Sequence, residues 1–139
     1  MDLRGAHPEE ALGDLSRRLA ETGAVPSAAA LTQALVARER LGSTAVGTGV
    51  AIPHAKVAGI KRPVLAVGIS PGGVDFAAAD GELVRLLFVI VSPPDAPAEH
   101  LRMLAQISRW LGGGAARVRA LLEAGSREAV AALLQESTP

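Results

Sequence analysis

Two apolar runs, residues 64–69 and 83–91, place the tightest constraint on how this 139-residue chain can fold. Each is too short for a helix and is bounded by Pro or Gly, and the second is rich in Val, Ile and Phe. Both read as largely buried strands. Such strands need covering, and the cover has to come from amphipathic helices elsewhere in the chain.

Those helices are legible on either side. Pro8 fits a helix first turn, Glu9 and Glu10 follow where the helix dipole favours negative charge, and Ala11, Leu12, Leu15 and Leu19 form a stripe that ends before Gly23. Ser27 reads as the N-cap of a second helix with Leu31, Ala34, Leu35 and Leu41 on its buried face, Arg38 in its last turn and Gly42 as a left-handed cap. From residue 98 the helical period returns, with Leu101, Leu104, Ile107, Ser108 and Leu111 on one face, His100 in the first turn, and Gly112-Gly113-Gly114 closing it. Two short helices, 117–124 and 128–135, complete the chain.

Between the strands, Pro71-Gly72-Gly73 and Asp80-Gly81 read as turns, with Val74-Asp75-Phe76 a short strand or edge. Residues 49–52 read as extended, because Pro53 disfavours helix at Ile52. No linker, repeat or low-complexity tract divides the chain. The expectation is one α/β domain over residues 1–139, a sheet covered by helices.

Fourteen basic residues balance fourteen acidic ones, and the aromatic residues are Phe76, Phe88 and Trp110, so neither an electrostatic footprint nor a stacking surface for nucleic acid is present. The absence of cysteine excludes disulfides and thiolate zinc sites. His7, His54 and His100 are scattered, with no carboxylate at ligand spacing from the last two, so no metal site is expected. The 83–91 run is interrupted by Arg85 and is about half the length of a membrane-spanning helix. Residues 1–10 lack the apolar core of a secretory signal, and the expected setting is a soluble protein of the cytoplasm.

The chemistry-bearing segment is Leu41-Gly-Ser-Thr-Ala-Val-Gly47-Thr-Gly-Val-Ala-Ile52-Pro53-His54. Histidine can be a neutral nucleophile near neutral pH, and here it follows a hydroxyl-bearing, glycine-rich loop. Two nucleotide patterns fail on this loop. The P-loop pattern has Thr48 where the phosphate-binding lysine must stand, and the dinucleotide fingerprint has Ile52 in place of its third glycine. What remains is a set of backbone amides able to converge on an oxyanion, with the hydroxyls of Ser43, Thr44 and Thr48 nearby in sequence; the alternative is an ordinary helix-to-strand connection. Ser43, His54 and Asp75 supply the residue types of a hydrolase triad without its nucleophile elbow.

In chain order, 38–44 (Arg-Glu-Arg-Leu-Gly-Ser-Thr), 47–54 (Gly-Thr-Gly-Val-Ala-Ile-Pro-His), Val74-Asp75-Phe76, Asp80-Gly81, Ser92-Pro93 and Glu99-His100-Leu101 form a recognisable set. Together they resemble the fructose/mannitol/nitrogen-type (type 2) enzyme IIA domains of the bacterial phosphoenolpyruvate-dependent phosphotransferase system. The resemblance implies a three-layer α/β sandwich with a small mixed sheet flanked by helices. It implies a phosphotransferase component that carries the phosphoryl group transiently on Nε2 of His54. The donor would be phosphorylated HPr or its nitrogen-branch equivalent, and the acceptor an enzyme IIB in sugar uptake, docked where needed on a membrane permease complex.

By the same resemblance His100 and Arg38 stand beside the phosphoryl group, with Ser43, Thr44, Gly47, Thr48 and Gly49 as further phosphoryl-binding positions, and no cofactor or metal is required. Cationic and amide donors suit this role because the transferring group spreads charge over three equatorial oxygens. A second implied role is that of a nitrogen-type regulator, whose phosphorylation state controls docking to a transporter or kinase. The related cytoplasmic domain of anion transporters is a third reading, without a transmembrane segment here to support it. Ala45 and Thr48 depart from the Gly and Asn that such domains often carry, and the short segment 1–7 leaves little chain for a first strand.

Overall fold

The computed structural model describes residues 7–112 and 114–123. Pro8 opens α1 (Pro8–Glu21), with Glu9 and Glu10 in its first turn and Arg18 in its last, and Ala11, Leu12, Leu15 and Leu19 are buried as the period requires. Ser27 caps α2 (Ala28–Leu41) by accepting the Ala30 amide at 3.1 Å. Leu31 and Leu35 are its buried residues, and they pack against α1. Five strands follow: β1 (Ala45–Gly47), β2 (Val50–Ala51), β3 (His54–Lys56), β4 (Val64–Val74) and β5 (Val84–Ser92). Helices α3 (Pro97–Leu111) and α4 (Ala115–Leu122) close the described residues. Among the described residues no helix is long and apolar enough to cross a membrane.

Strand β5 is the axis of the sheet. On one edge it pairs antiparallel with β4; on the other it pairs parallel with β2 and then β3. Val50 stands opposite Leu86 and His54 opposite Ile90, so 50–56 follow β5 in a single register that is interrupted only at Ile52-Pro53. Proline has no amide hydrogen to give to a ladder, although the Pro53 carbonyl still accepts the Ile90 amide at 3.0 Å. With the pleat alternating, Leu87, Val89 and Val91 join Ala51 and Ala55 beneath α1 and α2. Leu86, Phe88 and Ile90 join Val50 and Ile52 beneath Ile107, Trp110, Val118 and Leu121 of α3 and α4. The result is a mixed open sheet with helices on both faces, an α/β fold.

Five local readings are corrected. Pro71-Gly72-Gly73 is not a turn between strands but a bulge within β4: Ile69 pairs with Leu86 and Val74 with Val84, so Ser70 to Gly73 stand against Arg85 alone. Glycine makes this possible, since Gly73 has φ of 80° and a Cβ there would lie 2.7 Å from that of Leu83. Gly42 leaves α2 extended, at φ 159° and ψ 151°, rather than as a left-handed cap. Leu41 is 85% exposed instead of buried. On α3 Ile107 is buried and Leu104 and Leu111 pack against the core as the period expects, but Leu101 and Ser108 face outward and His100 and Trp110 take the other buried positions. Helix α4 starts at Ala115, two residues earlier than expected, and both the 128–135 helix and the question of a first strand in residues 1–6 lie outside the described residues.

The β1–β2 hairpin turns through Thr48 (φ 55°) and Gly49 (φ 80°), both left-handed, the backbone sign pattern that two-residue hairpins match best with Asn-Gly. Threonine is β-branched and strained there. Thr48→Asn should therefore stabilise the fold by about 0.5–1 kcal/mol in urea unfolding, and no change would refute the strain. The phase of α3 is tested separately. Phe88 is buried with its ring 5.4 Å from that of Trp110, so Phe88→Ala should cost about 3–5 kcal/mol, whereas Leu101→Ala should cost under about 0.5.

Candidate functional site

His54 opens β3 immediately after Ile52-Pro53, and both of its ring nitrogens have partners. Nδ1 lies 3.0 Å from the Ile52 carbonyl oxygen, which can only accept a hydrogen bond. The proton of the neutral ring is therefore on Nδ1, and Nε2 carries a lone pair. Arg38 Nε donates to that lone pair at 3.2 Å. Arg38 reaches it from the last turn of α2, where its other arm donates to the Gly42 carbonyl at 2.9 Å and fixes the guanidinium.

His100 arrives from the other side of the sheet. Strand β5 ends at Ser92, a short loop leads to Pro97 at the start of α3, and the first turn of that helix carries His100 inward, 8% exposed. Its Nδ1 is 2.7 Å from Ser92 Oγ. The His100 and His54 rings meet edge to face, with centroids 5.4 Å apart and planes at 66°. Burial holds the His100 pKa below the usual 6.5, and the positive charges available to His54 and Lys56 push it the same way. His100 thus favours the neutral imidazole beside the His54 ring.

The cluster faces a cleft of about 460 Å³, with Arg38, His54, Lys56 and His100 as its polar lining and Ala34, Ala37 and Leu41 as its apolar wall. It sits at the carboxyl ends of β5 and of the strand parallel to it, where α/β sheets commonly place their sites. Sequence reading named Arg38, His54 and His100, and the fold brings these three together.

The loop residues are placed differently. Ser43 Oγ donates to the Phe76 carbonyl at 2.5 Å and accepts the Ala45 amide. Thr44 is buried, with both its amide and its hydroxyl on the Glu39 carboxylate. The Thr48 amide donates to Asp80 Oδ2 at 3.0 Å, its hydroxyl to the Gly47 carbonyl, and the Gly49 carbonyl accepts from Arg85 and Leu86. None of residues 43–49 lines the cleft. The triad reading finds no support, because Ser43 is bound to Phe76 and Asp75 holds the Ala77 amide.

Three contributors escaped the sequence reading. Ser92 and Glu39 belong to the motif set without a role of their own and Lys56 stands two residues past it; only Glu39 carries a local signal, an acid in a last turn where the dipole disfavours it. Asp80 serves its turn as expected, accepting the Glu82 amide, but it also ties the β1–β2 hairpin through Thr48, and these two amides hold its carboxyl below the usual carboxylate range.

Comparison with known proteins agrees with this architecture. Residues 1–137 match the family described as the phosphoenolpyruvate-dependent sugar phosphotransferase system, EIIA 2. The chain is 38% identical over 116 residues to a fructose-specific EIIA component of the phosphotransferase system from Haloferax volcanii, covering 84% of this chain and 75% of that one. It is 51% identical over 77 residues to a nitrogen regulatory protein of Pseudomonas aeruginosa, covering 55% of this chain and about half the length of that relative. The crystal structure of nitrogen regulatory protein IIA-Ntr from Neisseria meningitidis superposes with a TM-score of 0.86 at 32% identity, over 96% of this chain and 90% of that one. Enzyme IIA mannitol of Escherichia coli, solved in complex with phosphorylated enzyme IIB mannitol, shares the fold, with a TM-score of 0.78 at 23% identity over 97% and 94% of the two chains.

The lowered pKa of His100 sets a pH dependence. A histidine that protonates less readily folded than unfolded contributes stability that is complete above the unfolded value near 6.5 and is lost as pH falls through the lower folded value. Stability should therefore decline below about pH 6.5, and His100→Gln should flatten that decline. NMR titration should place the His100 midpoint below 6.5; a midpoint above it would contradict the burial argument.

Proposed function

The chain belongs to the EIIA 2 family of the phosphoenolpyruvate-dependent sugar phosphotransferase system, and from that premise we propose that it is a phosphohistidine carrier with His54 as the phosphoryl acceptor. One observation carries the reading. With Nδ1 held protonated by the Ile52 carbonyl, the nucleophilic lone pair sits on Nε2 and faces the cleft shared with Arg38 and His100. We take residues 1–139 as one such domain.

In this reading phosphorylated HPr, or its nitrogen-branch equivalent, docks over the cleft. The Nε2 lone pair attacks phosphorus in line, an N–P bond forms, and the bond to the donor breaks with its electron pair leaving on the donor. Arg38 exchanges Nε2 for the phosphoryl oxygens, which its planar fork suits, and neutral His100 donates a hydrogen bond without adding a positive charge that would hold the group too tightly. The proton stays on Nδ1 throughout, donated to the Ile52 carbonyl. Transfer to an enzyme IIB is the reverse step on a second partner.

The loop enters this reading as a frame. The hydroxyls of Ser43, Thr44 and Thr48 hold Phe76, Glu39 and Gly47, so Ser43, Thr44, Gly47, Thr48 and Gly49 act by setting the position of Ile52 and His54, and a direct contact with the phosphoryl group would require those partners to be released.

Incubation with phosphoenolpyruvate, enzyme I and HPr should give an acid-labile adduct that is absent in His54→Ala, and Arg38→Ala should slow its formation roughly 100-fold. An acid-stable adduct, or labelling unchanged in His54→Ala, would sink the assignment. Likeness to nitrogen regulatory proteins favours a second role, control of a transporter or kinase by phosphorylation state. Phosphoryl transfer from the labelled protein to an enzyme IIB encoded beside its gene would support sugar uptake; failure with every enzyme IIB would support the regulator.

A further inference from the structure

We propose that Glu39 is a positioning residue for His54, acting on the imidazole through Thr44 and Ile52. Glu39 lies in the last turn of α2, half-buried, where the helix dipole opposes a negative charge. What holds it there is a two-point grip. One carboxylate oxygen accepts the Thr44 amide at 2.9 Å and the other accepts the Thr44 hydroxyl at 2.6 Å, and Thr44 is only 6% exposed. Hydrogen bonds to an ionised acceptor are roughly twice as strong as neutral ones, so this grip ties the end of α2 firmly to the loop.

From Thr44 the connection runs to the site in two steps. The Thr44 carbonyl accepts the Ile52 amide at 3.0 Å, and the Ile52 carbonyl accepts His54 Nδ1 at 3.0 Å. The peptide units involved are separate, so the coupling is one of position and not of polarisation along a single amide chain. Thr44 fixes the height of Ile52 above the sheet edge just before Pro53 interrupts the ladder, and Ile52 in turn fixes the ring. Arg38, the neighbour of Glu39 in the same helical turn, holds the opposite nitrogen. One turn of α2 thereby grips the imidazole on both sides, directly at Nε2 and through the loop at Nδ1.

Displacing a nucleophile by about 1 Å costs on the order of a hundredfold in rate, with little effect on partner affinity. The rate arm of the test rests on the carrier reading of His54; the spectroscopic arm does not. In Glu39→Ala the maximal rate of His54 phosphorylation should fall roughly 10- to 100-fold. The KM for phosphorylated donor should stay within about twofold. The Nδ1 proton of His54, sheltered by Ile52 in the unmodified protein, should exchange faster with water and its NMR signal should broaden. Glu39→Gln should restore both, because the amide oxygen can accept the Thr44 amide while its NH₂ donates to the Thr44 hydroxyl.

Unchanged Nδ1 proton exchange in Glu39→Ala overturns the proposal, and so does an equal loss in the Gln variant, which would trace the effect to charge. Should Glu39→Ala fail to fold, Thr44→Val keeps the test alive: it removes the hydroxyl contact alone, and exchange unaltered there overturns the proposal equally. An unmodified protein that accepts no phosphoryl group would refute the carrier reading; faster exchange in Glu39→Ala would still support the positioning role.

Discussion

Strand β5 is buried on both faces, and a strand so placed must have its backbone satisfied along both edges. That requirement organises the rest. It recruits β4 antiparallel on one edge and the 50–56 segment parallel on the other, and it forces helices onto both faces of the sheet. It also fixes where His54 stands. Because 50–56 keep one register along β5, His54 is opposite Ile90, two residues short of Ser92, and the strand's exit into α3 returns His100 to within ring contact. The site is a product of that register more than of any one loop.

The break at Pro53 separates structural from chemical use of the backbone. Up to Ala51 and again from His54 the segment pairs with β5; between them the Ile52 carbonyl points to an imidazole instead. A parallel strand without the interruption would give that carbonyl no reason to meet a side chain two residues later. The neutrality of His100 has a similar origin. It sits on the buried period of α3, with Ile107 and Trp110, and the low dielectric that suits those neighbours disfavours its charge.

Sequence alone reached the helices and strands because each is governed by local chemistry: Pro8 and the first-turn acids of α1, the Ser27 cap, and a nine-residue apolar strand. Resemblance named Arg38, His54 and His100 and implied that they stand together, but no local pattern shows this, since the three meet only through the sheet. Long-range contacts explain what it missed. The Pro71-Gly72-Gly73 bulge has the composition of a turn, and only pairing of Val74 with Val84 shows that the strand continues. The holds of Phe76 on Ser43 and of Asp80 on Thr48 cross gaps that no local pattern spans. On α3 hydropathy favours Leu101 for the buried face, whereas the fold leaves Leu101 exposed and buries His100, a polar residue, beside it.

The contact between Gly73 and Leu83 has a consequence for how such a chain can vary. These two residues stand where the 75–83 connection leaves and rejoins the sheet, and a Cβ at 73 would collide with Leu83. They form a closed neck. Beyond it Phe76 is buried in the core and its carbonyl receives the Ser43 hydroxyl, so change in length or sequence falls on residues 77–82, with an acid kept to reach the hairpin as Asp80 does. The neck itself admits change only in pairs: a side chain at position 73 demands a smaller one at 83, and the two sites should vary together wherever this architecture diversifies.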